Sequence, residues 1–225
     1  ANEGAGMNRL TILLTLALAS TACSNQTGAT ADAVSPPMAA ARKASTVMTP
    51  DSAQIAKAAA GDFSGRLRTA LLDRMQSAGP VAAVDFCHAQ APLIADAVMA
   101  EHGVRLGRVA VAARNRNPDN APMEWKLQAL MQFQSAVDAG GAPAEQLFVQ
   151  RDNLPPGIAM RMMRGIAVEP ACLACHGRAL APDVSKAIQR RYPHDAATGF
   201  DAGDLRGGLW VEVPVSPPLN MEKLP

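Results

Sequence analysis

Aromatic side chains are scarce in this sequence: five Phe, two Trp and one Tyr, 4% of 225 residues. A core short of large flat side chains leaves room for a large flat cofactor, although Ala-rich, Arg-using chains run low in aromatics in any case. Excess charge is missing too. The formal net charge is only +1, which argues against the basic face a nucleic-acid binder needs to displace phosphate counterions. Cysteine is limited to four unevenly placed residues, too few for a disulfide scaffold. One close cysteine pair has no second pair of ligands to go with it, which disfavours a structural zinc site. Nor does that pair follow an early strand, where a thioredoxin-like redox pair belongs. The apolar run at residues 10–19 is too short to span a bilayer, which takes about 20 residues.

What is present sets the organisation. Hydrophobic residues make up 48% of the chain, enough for a packed core, and the length suits one domain. Residues 1–6 precede Met7 and read as a leader. Residues 7–22 follow the pattern of a bacterial export signal: Arg9, the apolar run, then small residues up to Ala22. Cys23 after Ser20-Thr21-Ala22 resembles a lipoprotein cleavage site, at which the cysteine becomes the lipidated first residue. Ser20 departs from the large aliphatic residue usual there, and ordinary cleavage or an unmodified cysteine is the alternative. Either route delivers the mature chain to the periplasm, anchored to the membrane if Cys23 is lipidated. Residues 23–50 are rich in Ala, Ser, Thr and Pro and read as a flexible tether, residues 51–215 as the folded domain, and residues 216–225 as a tail.

Asp51 is placed to N-cap a helix carrying Ile55, Ala59, Phe63, Leu67, Leu71 and Met75, with Gly61 and Gly65 weakening its continuity. Gly79 ends that helix and Pro80 opens a second one, with Val81, Val84, Ala91, Ile94 and Val98 on one side and Gly103 as its stop. Pro92 cannot donate to the carbonyl of His88, so a bend is expected there. Residues 104–112 predict a strand, residues 117–120 a loop, and residues 124–137 a third helix broken by Gly140-Gly141. Further strands are expected at residues 148–150, at residues 162–168 (which suit a helix equally) and at residues 209–215.

The run Cys172-Leu173-Ala174-Cys175-His176 is the attachment sequence for haem c. Its two thiols add across the porphyrin vinyl groups, and the spacing brings the next imidazole over the ring to bind iron. The export signal agrees with it, because covalent haem attachment in bacteria takes place outside the cytoplasm. The sixth iron position has several candidates: Cys87, His88, His102, His194 and the methionines Met160, Met162 and Met163. His102 and His194 read as surface residues, and the methionines most simply as gap-filling core residues. After the attachment run only Met221 could serve as a methionine ligand, and it lies in a Pro-rich tail. Cys87 and His88 flank the apolar stripe of their helix about equally, so helical geometry does not choose between them.

Other stretches stand in a specific order: Val84-Asp85-Phe86-Cys87 with Ala91-Pro92, Gly107-Arg108, and Arg116-Asn117-Pro118-Asp119-Asn120-Ala121-Pro122 followed by Trp125. After the haem motif and Gly177 come Tyr192-Pro193, Asp195, Ala197, Gly199 and Gly203-Asp204-Leu205-Arg206-Gly207. In this order they resemble a bacterial c-type haem domain family with a PAS-like fold, long described as a domain of unknown function. The resemblance covers residues 51–215; Lys126 departs from it, standing where a Glu is expected. It implies Cys87 and His176 as the two axial ligands of one covalent haem c. It implies an α+β fold, a small antiparallel sheet flanked by helices. It also implies Arg116 and Arg206 as partners of haem propionates, since a guanidinium grips a carboxylate in bidentate fashion. Otherwise both hold their loops or face solvent.

A thiolate stabilises ferric iron, so this ligand set leads to an expected low reduction potential. Three function classes follow. One is a monohaem electron carrier serving a periplasmic redox partner. A second is a haem-based redox or gas sensor acting through a separate output protein. The third is an enzyme such as a peroxidase; it ranks last because both axial positions are taken.

Overall fold

A computed structural model describes residues 51–215. The leader, the export signal, the lipidation candidate Cys23, the tether and the tail lie outside the described residues. The chain begins with a long helical element, α1 (Ser52–His102), bent at one residue. That residue is Gly79, whose φ of 79° and ψ of 173° only glycine adopts without strain. Pro80 directly after it opens the second arm, as its fixed φ and missing N–H favour. Helical dihedrals continue through Pro92, so the bend expected there does not interrupt the helix. Asp51 holds the N-cap position, but its side chain makes no cap bond and lies 3.6 Å from Arg151 instead. Its backbone carbonyl accepts from Gln54 and Ile55 at 2.8 and 3.1 Å. Gly103, in the left-handed region at φ 63°, ends α1 by donating to the carbonyl of Met99.

Then come β1 (Arg105–Ala110), α2 (Glu124–Asp138), β2 (Leu147–Gln150), β3 (Ile158–Ala167), the short α3 (Leu173–His176), α4 (Pro182–Arg191) and β4 (Leu205–Pro214). The strands form an antiparallel sheet in the order β1-β4-β3-β2. This is the α+β arrangement expected, a small antiparallel sheet with helices on it.

Two of those helices cover opposite faces of the sheet. On one face Leu106, Met160, Met162, Leu209, Val211 and Val213 pack against Ala56, Ala59, Ala60, Phe63 and Leu67 of the first arm of α1. On the other, Val109 and Met163 pack against Trp125, Ala129, Leu130 and Phe133 of α2. Each fully buried Leu, Val, Met or Phe contributes about 1.5–3 kcal/mol relative to exposure. Because both faces are covered, β3 buries Met160 and Met162 on one side and Met163 on the other, and does not alternate apolar with polar. That explains why β3 runs from Ile158 where only residues 162–168 were expected. Arg161 sits inside the strand because it pairs with the buried Glu212 on neighbouring β4 at 2.9 Å.

One helix was missed from the sequence altogether. α4 starts with Pro182 at its first turn, carries Asp183 there, ends on Arg190 and Arg191, and buries Val184, Ala187 and Ile188. Lys126, the departure from the family pattern, lays its ammonium 3.8 Å from the ring centre of Trp210.

Candidate functional site

The attachment run is built on two successive turns. A 3-10 turn at Pro170–Cys172 leads straight into α3, so Cys172, Cys175 and His176 fall at i, i+3 and i+4 on one face. Gly177 ends the helix with its N–H 2.9 Å from the Leu173 carbonyl. A side chain at that position would meet the Leu173 carbonyl oxygen at 2.6 Å, so only glycine fits.

The segment after α4 folds back over this turn and fixes it. Gly199 and Phe200 donate to the carbonyls of Gly177 and His176, both at 3.0 Å. His176 Nδ1 donates to the carbonyl of the fully buried Ala197 at 2.7 Å. That bond sets the tautomer and leaves Nε2 as the nitrogen with a free lone pair. Burial, with the nearby charges of Arg116 and Arg206, pushes the imidazole pKa down to about 3, so the ring is neutral at physiological pH.

Arg116 and Asp195 close a ring of contacts around the same turn. The Arg116 guanidinium takes Asp195 with two bonds, 3.0 and 3.2 Å, and donates to the Cys175 carbonyl at 2.6 Å. Asp195 also accepts from the Ala197 N–H at 3.0 Å. Arg116 thus holds its loop and the attachment turn together. Arg206 is placed differently. It donates to the Arg114 carbonyl at 3.3 Å, stands 5.1 Å from the centre of the Phe200 ring, and has no carboxylate partner among the described residues. Burial and the charges of Arg116, Arg108 and Arg114 lower its pKa to about 10.

Cys87 arrives on the second arm of α1. One turn earlier, Val84 is buried in a cluster with Val184, Ala187 and Ile188 of α4, and Cys175 and Tyr192 pack on that cluster. Burial pushes the Cys87 thiol up, while Arg108 and Arg116 pull it down. The Cys175 thiol is raised by burial too, feeling Cys87 and Cys172 alongside Arg116. His88 is exposed, with its ring edge-on to Tyr192 at 5.2 Å. So the helix turns Cys87 toward the attachment turn and His88 toward the surface. Met160, Met162 and Met163 are buried in the sheet, His102 pairs with Asp62 at 3.1 Å, and His194 is exposed.

The family model described as Tll0287-like matches residues 19–214. This chain belongs to the Tll0287-like family. It is also similar to a solved structure, the crystal structure of the cyanobacterial heme-protein Tll0287. The identity is 35%, over 58% of this chain and 72% of that chain, with a TM-score of 0.45. No curated protein matches it.

In this Tll0287-like chain the arrangement offers two thiols and a neutral imidazole on one helical face, and a third thiol from a facing helix. Around them stand Arg108, Arg114, Arg116 and Arg206, with Asp195 as the carboxylate that offsets them. These are donors for a soft or borderline metal-bearing group that carries negative charge. The residues fit a haem: thiols for its vinyl carbons, an imidazole nitrogen for its iron, cations for its carboxylates. Three contributors went unnoticed as site residues in the sequence: Asp195, the Ala197 carbonyl and Arg108. For Arg108 a signal was present, a charge sharing the strand parity of Leu106 and Ala110 on a buried face.

Proposed function

We propose that this chain is an exported monohaem c-type cytochrome, carrying single electrons at low potential to and from a periplasmic partner. The observation that carries this reading is the His176 Nδ1 bond to the Ala197 carbonyl. It presents a neutral imidazole with its Nε2 lone pair open, one residue after the second thiol of the attachment run. In this reading Cys172 and Cys175 hold the haem as thioethers, His176 and Cys87 are the axial ligands, and the sheet with its helices is the PAS-like frame the sequence resembles. A haem so held supplies a one-electron couple, with the thiolate stabilising its oxidised form.

The protein's own residues orient and insulate. Arg116 and Asp195 clamp the attachment turn, and Arg206 is the cation available to a haem carboxylate. The packing of Val84 against α4 fixes the approach of Cys87. Export and lipidation at Cys23 belong to the same proposal, as do a periplasmic location and membrane anchoring.

A second reading has one observation in its favour. Burial raises the Cys87 thiol, which favours the neutral form, a poorer iron ligand than thiolate. A ligand that leaves when charge changes is what a haem-based redox or gas sensor needs, and such a sensor would signal through a separate partner. An enzymatic role is the least supported, since both axial positions are assigned.

The deciding experiment compares ferric electron paramagnetic resonance and ferrous absorption spectra of wild type and Cys87→Ser. A low-spin thiolate signature lost in the variant supports the Cys87/His176 pair. Identical spectra would show that another residue holds the sixth position. A ferrous wild-type protein that binds carbon monoxide favours the sensor, and one that refuses it favours the carrier.

A further inference from the structure

Arg108 is a charge on a buried strand face. On β1 it pairs in register with Leu209 of β4, and Leu209 belongs to the core beneath α1. Arg108 therefore stands on the α1 side of the sheet, with its guanidinium carbon 6.0 Å from the centre of the Phe63 ring. Its side chain is nevertheless exposed to solvent.

The charged and titratable groups facing it are Cys87 from α1, Tyr192 after α4 and Arg206 from β4. None of these is a carboxylate, and among the described residues no carboxylate reaches ion-pair distance of Arg108. Arg116, beside the same thiol, is already committed to Asp195 and the Cys175 carbonyl. Two guanidinium groups thus stand on adjacent strands, Arg108 on β1 and Arg206 on β4, each without an anionic partner. Both face a region lined by Cys87 and the turn at residues 172–176, with hydrogen-bond donors still open to an incoming carboxylate.

We propose that Arg108 binds one of the two haem carboxylates, with Arg206 serving the other. This inference rests on the haem reading above and deepens it. A guanidinium meets a carboxylate with two parallel N–H···O bonds, which an ammonium does not reproduce. Arg108 acts here as a positioning residue that also sets the local charge.

The test uses the haem-loaded protein: wild type, Arg108→Gln, Arg108→Lys and Arg66→Gln. Reduction potentials are taken at about pH 8, where a carboxyl group stays ionised, together with infrared spectra recorded as oxidised-minus-reduced differences. Arg66 pairs with Asp62 and Glu101 on exposed α1 and controls for loss of charge at a distance. The expected result is a fall in potential for Arg108→Gln, because the cation favours the less positive reduced iron, with a shift of the carboxylate bands. Arg108→Lys should restore most of the potential while the bands stay shifted, and Arg66→Gln should change neither. Wild-type potential and bands in Arg108→Gln would overturn the inference, and so would an equal potential shift in Arg66→Gln. A wild-type protein without covalent haem overturns the haem reading itself, a failure distinct from the others.

Discussion

Arg116 and Asp195 lie 79 residues apart in sequence and meet through two hydrogen bonds of 3.0 and 3.2 Å, with their side chains only 12% and 9% exposed. The pair joins the loop after β1 to the segment after α4, and the third Arg116 bond reaches the Cys175 carbonyl. The turn that carries Cys172, Cys175 and His176 is therefore gripped by an ion pair made far from it in the chain.

Asp195→Asn keeps the volume and removes the charge, leaving Arg116 nearly buried without its counter-ion. Breaking one side of such a pair costs about 3 kcal/mol. The expected outcome in urea unfolding is a lower midpoint with an unchanged slope. A second expectation is a smaller fraction of chains carrying covalent haem, read by haem-stained denaturing gels. A midpoint within error of wild type would show that the pair does not hold the turn.

His176 carries a pH signature of its own. Its pKa in the folded chain is about 3, against 6.5 when unperturbed, so the folded state excludes a proton that the unfolded state binds. A group with a depressed folded pKa loses stability as pH falls through that window. For the Cys172→Ser/Cys175→Ser chain, which cannot attach haem, stability should decline from about pH 6.5 toward pH 3. The total loss is on the order of 5 kcal/mol. Adding His176→Gln should flatten that decline. An equal acid slope with and without the histidine would remove its role.

Gly61 and Gly65 sit in the first arm of α1 with nothing within 4 Å of where a Cβ would be. Both have helical backbone, so neither requires glycine. Replacing each by Ala should stabilise the domain by about 0.5–1 kcal/mol, through lower entropy of the unfolded chain and better helix propensity. Thermal melts of the single and double variants check this, and additive gains with an unchanged haem spectrum are the expected result.

Parts of this fold were legible because their cause is local. Gly79 followed by Pro80 fixes two backbone conformations whatever surrounds them, and the break in α1 falls there. The attachment run is equally local, its chemistry depending on a spacing of three and four residues. The start of β3 was not legible, because a strand buried on both faces loses the alternation that marks one. Nor was α4, whose apolar side consists of Val184, Ala187 and Ile188 among seven other residues. Its stability comes from packing on Val84 of α1, a contact the sequence separates by 100 residues. At the site, the choice of Cys87 over His88 stayed open for the same reason. Both flank the stripe equally, and what separates them is the position of Tyr192 and the attachment turn.

The break at Gly79 folds α1 into two arms that brace one another. Ala91 and Val98 of the second arm lie in the same sheet core as Ala59 and Phe63 of the first. Arg66 and Asp62 tie the first arm to Glu101 and His102 at the far end of the second. Cys87 lies eight residues past the joint, about 12 Å along the helix axis at 1.5 Å per residue, and four residues before Ala91 enters the core. The thiol is thus held from both sides along its helix, and its place beside Cys175 is set by the braced pair of arms rather than by the two dihedral angles of one glycine.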